Sequence, residues 1–293
     1  MSAPSGGPPS PHAAAPVRAR FLALARRPDA EVPLAEAALL IAQEEYPDLS
    51  VARYLGELDR MAAGARAAVL AEAPAGTRAG IEVLGAYLFR DLGFRGNRDE
   101  YEDPRNSFLN DVIDRRLGIP ITLSLVYCEV ARRAGLEPAP VGVGFPGHFL
   151  VKYEVAGEVD PLVIDPFNGG RIVTVETLVA TLAHSKIDLR PDLLRAARPR
   201  EVLVRMLRNL KEIYRKGDDL RRLASILDRL VAIEPEAREH RLERGMVRAR
   251  SGEPGLALAD LVRYRLGLPD DSPERGPLGQ VVQTLRRHRA SLS

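Results

Sequence analysis

The sequence GIPITLSLVYCEVARRAG, residues 118–135, predicts the central helix of the fold. Proline is favoured in the first turn of a helix, where its missing N–H would have no partner anyway, so the helix is expected to begin at Pro120. Glycine commonly follows the last helical residue, which puts the end of the helix at Ala134. The helix carries Cys128, the one cysteine of the chain, so the question is whether its thiol is catalytic or structural.

After Gly135 the apolar pattern changes from helical spacing to three short strands, at residues 140–144, 148–154 and 162–165. A helix followed by an antiparallel meander predicts the α+β class. His148 opens the second strand and Asp165 closes the third. Adjacent strands lie about 4.8 Å apart, so the two side chains are expected to meet across the ladder. A thiol enzyme needs a thiolate, an imidazole and a group that orients the imidazole, and Cys128, His148 and Asp165 supply these types.

The sequence on either side of this core predicts helices. Upstream, apolar residues recur at helical spacing between Val17 and Asp91, with Ser50 as one N-cap. A further short helix is expected at residues 107–116, capped by Asn106 or Ser107. Downstream, the motif at residues 216–218 recurs 35 residues later at 251–253, which is the period of paired tetratricopeptide helices. We therefore expect a disordered tail at 1–16, a helical region at 17–92, an α+β core at 93–195 and helical repeats at 196–293.

Composition excludes several classes of protein. Charged residues make up 28 % of the 293 and nearly cancel to a net charge of +2, which gives no general case for nucleic-acid or membrane binding. No apolar run approaches the roughly 18 residues that a membrane span needs, and the N-terminus lacks the features of a secretory signal. A cytoplasmic protein is expected. Residues 195–250 hold an excess of seven positive charges, but without a nucleic-acid motif they indicate a solvated helical face, and the repeats are expected to bind a protein or peptide partner.

Several motifs in the right order resemble the bacterial SirB family, in which a transglutaminase-like core precedes tetratricopeptide repeats. The motifs are LGFRGN at 92–97, DPRNSFLN at 103–110, RLGIPI at 116–121, FPGHFLV at 145–151 and IDPFNGG at 164–170. Related segments also occur fused to an F-box in an animal ubiquitin-ligase subunit. The resemblance implies a papain-like core in which the nucleophile lies at the first turn of the helix, about fifteen residues before its closing glycine. In this sequence that position is Pro120, which cannot act as a nucleophile.

Three functions remain open on these residues, and the third is a regulator that acts through nucleic acid. In the first, which we favour, the chain is a non-catalytic interaction or regulatory protein whose His148 and Asp165 are vestigial triad positions. Those two then form a structural pair or line a polar cleft with Arg105, Asn106 and Asn168. In the second, it is a hydrolase or acyl transferase that uses Cys128 or a helix hydroxyl, Ser124 or Thr122, with His148 and Asp165. No cofactor is expected, and one histidine among scattered carboxylates predicts no metal site.

Overall fold

The computed structural model describes residues 11–73, 77–155, 157–183 and 190–290. Twelve α-helices and six strands lie in these ranges. The helices are α1 Pro11–Ala25, α2 Leu34–Gln43, α3 Val51–Glu72, α4 Arg78–Ala86, α5 Leu109–Arg115, α6 Pro120–Ala134, α7 Val175–Ala183, α8 Pro199–Lys216, α9 Leu220–Ile233, α10 Arg238–Arg250, α11 Pro254–Leu266 and α12 Arg275–Ala290. The strands are β1 Arg95–Gly96, β2 Leu117–Gly118, β3 Val141–Phe145, β4 His148–Tyr153, β5 Leu162–Asp165 and β6 Arg171–Val173.

The chain divides into two compact units. One comprises Arg27–Met206, and the other Met1–Arg26 together with Leu207–Ser293. The division brings the N-terminal helix α1 together with the C-terminal helices. The sequence predicts a disordered tail over residues 1–16, but in the structure helix α1 begins at Pro11. Alanine has the highest helix propensity, so residues 13–15 favour the helix. Residues 1–10 of that tail lie outside the described residues.

Helix α6 is the centre of the larger unit and has the predicted bounds. Gly135 ends it in the left-handed conformation, with φ of 81°, which glycine adopts without strain. Helix α3 packs on one side of α6, and β4 packs against it as well. Leu123, Tyr127 and Val130 are therefore buried, and so are Ile121, Leu125 and Ala131 on the other faces of the helix. A helix that is apolar nearly all round is typical of a buried core element.

The sheet of this unit is an antiparallel meander in the order β3-β4-β5-β6. The predicted three strands are present, and Arg171–Val173 adds a fourth. Residues 95–96 and 117–118 also form a short parallel pair. The register Val151 opposite Ile164 puts Asp165 diagonally across the ladder from His148, on the same face. The fold therefore holds the two predicted partners at neighbouring positions.

The helix predicted at 107–116 begins later than expected, at Leu109. Asn106 ends a one-turn 3-10 helix, Pro104–Asn106, and neither it nor Ser107 caps α5. The Asn106 amide instead donates to the carbonyl oxygens of Glu100 and Tyr101, so its hydrogen bonds are used to close the preceding loop. The predicted N-cap Ser50 behaves as a cap and accepts the backbone N–H of Arg53, and Thr77 caps α4 in the same way by accepting from Gly80.

The smaller unit stacks helices in sequence order, α9 on α10, α10 on α11 and α11 on α12, with α1 against α9. Gly245 allows α10 to approach α11 closely, because a Cβ there would lie 2.7 Å from Leu261 Cδ2. Ala257 of α11 is fully buried, as the repeat pattern requires of its small residues. About three repeats are normally needed for stability, and this chain has two. Helices α1 and α12 therefore cover the two ends of the short array.

Candidate functional site

His148 and Asp165 form a hydrogen-bonded couple. His148 Nε2 lies 3.0 Å from Asp165 Oδ1, with 22 % of the histidine side chain exposed and only 4 % of the aspartate. Asn168 completes the couple by donating its backbone N–H to Asp165 Oδ1, at 3.2 Å, and its side-chain amide to Oδ2, at 2.5 Å. The sequence Asp-Pro-Phe-Asn forms this turn because the Asp165 side chain caps the 3-10 helix Pro166–Asn168.

The environment of Asp165 stabilises its ionised form. Burial by itself raises the pKa of this carboxyl, but the hydrogen bonds from His148 and Asn168 outweigh burial and hold the pKa below its usual range. Arg171 adds a weaker ion pair, with Nη2 3.8 Å from Oδ2. The couple thus presents an imidazole oriented by an anionic carboxylate, the arrangement that a general base requires.

The lowered pKa of Asp165 predicts a pH-dependent contribution to stability. We expect Asp165→Asn to destabilise the protein by about 1.5–3 kcal/mol at pH 7, the usual value of hydrogen bonds to a charged group. A carboxyl with a lowered folded-state pKa stabilises above the ordinary aspartate pKa of about 3.9, and this contribution is lost as the pH falls through the folded-state pKa. Urea denaturation at several pH values should therefore show the gap between variant and wild type closing below about pH 4. A gap of constant size down to pH 3 would contradict this.

Pro120 occupies the first residue of α6, and the nearby hydroxyls are buried and hydrogen-bonded. Thr122 Oγ1 accepts the Ile119 N–H at 3.1 Å and donates to the Asn106 carbonyl at 2.8 Å. Ser124 Oγ lies 3.4 Å from the carbonyl oxygen of Phe149, the residue after His148. Both side chains are fully buried. The first turn of the helix is therefore adjacent to the histidine strand but offers no exposed nucleophile.

Cys128 lies two turns further along α6, eight residues and about 12 Å along the axis from Pro120. Its burial raises the pKa of the thiol above the ordinary value, and the neighbouring carboxylate of Glu129 raises it further. A thiol with a raised pKa is protonated at neutral pH and is a poor nucleophile. The helix N-terminal dipole, which lowers a thiol pKa, acts only over the first turn and does not reach this position.

The three residues proposed to line a polar cleft lie in different surroundings. Asn106 is completely buried, and its Oδ1 accepts a hydrogen bond from Asn97 at 3.0 Å. Arg105 binds Asp103, with Nη2 2.7 Å from Oδ2, beside an open cavity of about 640 Å³ formed by residues 98–105. Of the three, only Asn168 touches the His148–Asp165 couple. A cleft role for the three together stays a prediction.

Four other side chains surround the couple, and the sequence interpretation did not include them: Arg98, Tyr101, Phe167 and Arg205. The Phe167 ring lies 6.1 Å from the His148 ring and 5.9 Å from the Tyr101 ring, centre to centre, each in an edge-to-face arrangement. Arg205, on the part of α8 within this unit, donates to the His148 carbonyl at 2.7 Å. Phe167 lay inside a recognised motif, but Arg205 is 57 residues from His148 and has no local signal.

Neither a metal-binding cluster nor a membrane span is found in the described parts of the chain. In these ranges no group of three or more histidine, cysteine, aspartate or glutamate side chains is placed to hold a metal ion. No helix there is long and apolar enough to cross a bilayer.

A central helix, an antiparallel meander and a strand-borne His–Asp couple define a transglutaminase-like core, here joined to tetratricopeptide-type helix pairs. Comparison with known families agrees: residues 52–208 match the transglutaminase-like superfamily, and residues 210–287 match the tetratricopeptide repeat. The second match starts at residue 210, beyond the boundary at 195 that the sequence pattern predicts. The chain therefore belongs to the transglutaminase-like superfamily, within the group of UPF0162 proteins to which its relatives belong.

Two bacterial relatives cover most of the chain. A UPF0162 protein of Xylella fastidiosa is 41 % identical over 247 residues, 82 % of this chain and 86 % of the relative. One from Pseudomonas aeruginosa is 35 % identical over 270 residues, 89 % of this chain and 93 % of the relative. These relatives do not carry the SirB name that the motifs suggested. What the comparisons support is the domain architecture of that family.

A more distant relative is similar over a shorter segment. Human F-box only protein 21 is 31 % identical over 165 residues, which cover 53 % of this chain but 26 % of the human protein. The similarity is therefore to one segment of a longer protein. No solved structure matches the chain.

Proposed function

We propose that this protein is a non-catalytic member of the transglutaminase-like superfamily, a cytoplasmic scaffold or regulator that binds other proteins. Tetratricopeptide repeats generally mediate protein–protein interaction, and this architecture suggests an interaction scaffold. The observation that carries the non-catalytic part is Pro120 at the first residue of α6. The helix start beside the histidine strand is where a thiol would gain both the helix dipole and a base, and proline has neither thiol nor hydroxyl.

The neighbouring side chains support the same interpretation. The thiol of Cys128 has a raised pKa, and the Ser124 hydroxyl is buried against a backbone carbonyl. The competing function is a transglutaminase- or protease-like hydrolase or acyl transferase, using Cys128 or Ser124 with His148 and Asp165. If the protein is such an enzyme, Ser124 is favoured over Cys128 as the nucleophile, because Ser124 contacts Phe149, the residue that follows His148 in the chain.

The proposal predicts that Cys128 reacts slowly with iodoacetamide at pH 7 and that the rate does not depend on His148. A thiol with a raised pKa should react at least about tenfold more slowly than free cysteine, whose pKa is about 8.5. The measurement is the labelling rate of the native protein, followed by intact mass, in the wild type and in His148→Ala. A serine-directed fluorophosphonate probe tests Ser124 in the same two proteins.

Labelling at either residue that is rapid in the wild type and lost in His148→Ala would establish a working nucleophile and overturn the non-catalytic proposal. Arg60→Gln provides the matched control variant. Arg60 is 69 % exposed and pairs with Glu57 on the surface of α3, so its loss should change neither rate.

A further inference from the structure

Besides Arg171, which pairs with Asp165, two guanidinium groups flank the His148–Asp165 couple, and each of these two is held by a neutral acceptor. Arg205 Nη2 donates to the His148 carbonyl at 2.7 Å, and its guanidinium lies 5.4 Å from the centre of the Phe149 ring. Arg98 donates to Asn168 Oδ1, and its guanidinium lies 5.3 Å from the centre of the Phe167 ring. Within the described residues neither group has a carboxylate partner. Each therefore keeps most of its five N–H donors for another acceptor.

An aromatic group connects the two arginines. Phe167 contacts Arg98, His148 and Tyr101, and the charge of Arg205 acts on the Tyr101 hydroxyl. We call these five residues, Arg98, Tyr101, His148, Phe167 and Arg205, the arginine–aromatic cluster. Tyr101 is 48 % exposed and Arg98 is exposed, so the cluster opens to solvent. It therefore combines positive charge with an accessible aromatic surface.

Arg205 is the energetically unusual member of the cluster. Burial lowers the pKa of its guanidinium, so the cost of removing this cation from water is not balanced by an anion. Elsewhere in the same unit, by contrast, Arg105 and Arg115 share the carboxylate of Asp103. An incoming anion would provide the missing counter-charge, and the planar fork of arginine matches the two oxygens of a carboxylate.

We propose that the arginine–aromatic cluster is a recognition site for the carboxylate of a glutamate or aspartate side chain on a protein partner. The acidic side chains Asp99, Glu100 and Glu102 are exposed on the same loop as Arg98. Their repulsion penalises phosphate and nucleic acid, which bring more negative charge than one carboxylate. The methylene groups of an acidic side chain can pack on the exposed Tyr101 ring, as alkyl stems do on apolar surface.

This inference rests on the proposed function, because the site binds its ligand without transforming it. The probes are N-acetyl-glutamate amide and its neutral isostere N-acetyl-glutamine amide, titrated into the full chain while the arginine side-chain and histidine ring signals are followed by NMR. The glutamate probe should shift the signals of Arg98, Arg205 and His148, with an affinity that falls as salt rises. Arg205→Gln and Arg98→Gln should each weaken binding at least about tenfold, as expected when a hydrogen bond to a charged group is lost.

Two control variants and two control ligands accompany the titration. Arg60→Gln should bind the probe like the wild type. Arg205→Lys retains the positive charge and should bind with intermediate affinity, which separates loss of recognition from loss of folding. Inorganic phosphate and N-acetylglycine, which carries a terminal carboxylate, should both bind more weakly than the glutamate probe.

Equal shifts with the glutamine probe, no shifts with the glutamate probe, or unchanged binding in both glutamine variants would overturn the site. Tighter binding of phosphate or N-acetylglycine would overturn the assignment to an acidic side chain. None of these results depends on the labelling of Cys128 or Ser124. Failure of the carboxylate site can therefore be distinguished from failure of the non-catalytic proposal.

Discussion

Replacing Pro120 by cysteine in a Cys128→Ser background should produce a thiol that reacts with iodoacetamide at pH 7 at least about 100-fold faster than Cys128 does in the wild type. The physical reason is the position of the introduced thiol at the start of the helix. Position 120 is buried too, but a thiolate there is stabilised by the N-terminus of α6 and lies beside the histidine strand, whereas no such stabilisation offsets the burial of Cys128. The measurement is the labelling rate between pH 5 and 9, which gives the pKa of the introduced thiol.

A second proline offers a matched control. Pro254 is also buried and also begins a helix, α11, which belongs to the other unit. Pro254→Cys in the same Cys128→Ser background therefore tests the helix dipole at a helix start outside the unit that contains His148. Adding His148→Ala should slow labelling of the Pro120→Cys protein and leave the Pro254→Cys protein unchanged. Equal rates in the two proteins, both insensitive to His148→Ala, would contradict the claim that Pro120 occupies a position served by the histidine.

The core of the fold follows from local signals in the sequence. Helix α6 has its predicted bounds because proline and glycine act on the backbone of their own neighbourhood, whatever the rest of the chain does. The His148–Asp165 contact was predictable for a similar reason, since a short meander fixes which residues oppose each other. Both predictions needed only segments close together in the chain.

What the sequence did not reveal depends on contacts between distant segments. Arg205 lies on α8, 57 residues from His148, and donates to the His148 carbonyl. The apolar residues of α8 are spaced as in an ordinary amphipathic helix, so nothing in the sequence marks Arg205. Helix α1 packs against α9, more than 190 residues later, and a pattern of apolar residues cannot name the partner of a helix. Asn106 shows a different limit: an asparagine in a polar loop is equally suited to a cap, a cleft or a loop hydrogen bond, and only the structure distinguishes these.

A buried ion-pair network joins α9, α10 and α11 of the smaller unit, with Arg18 of α1 as a further partner of Asp228, and Asp260→Ala should disrupt it severely. Asp260 of α11 is 4 % exposed and accepts from Arg244 Nε at 2.7 Å and from Arg248 Nη1 at 2.9 Å. Both arginines also bind Asp228 of α9, at 3.0 and 2.7 Å. Burial lowers the pKa of Arg244, but Asp260 and Asp228 outweigh it and raise the pKa, which shows how strongly the network favours the charged guanidinium.

Removing Asp260 leaves the partly buried guanidinium groups of Arg244 and Arg248 to share Asp228, which also pairs with Arg18, and should cost about 3–5 kcal/mol of unfolding free energy. Urea denaturation followed by circular dichroism measures this, because the chain has no tryptophan for fluorescence. The matched control is Asp270→Ala, which removes a fully exposed partner of Arg275 and should cost no more than about 1 kcal/mol. A similar small cost for Asp260→Ala would mean that the stacked helices are held by apolar packing alone. A large cost would mean that the α9–α11 arrangement, and any partner surface built on it, depends on keeping these charges paired.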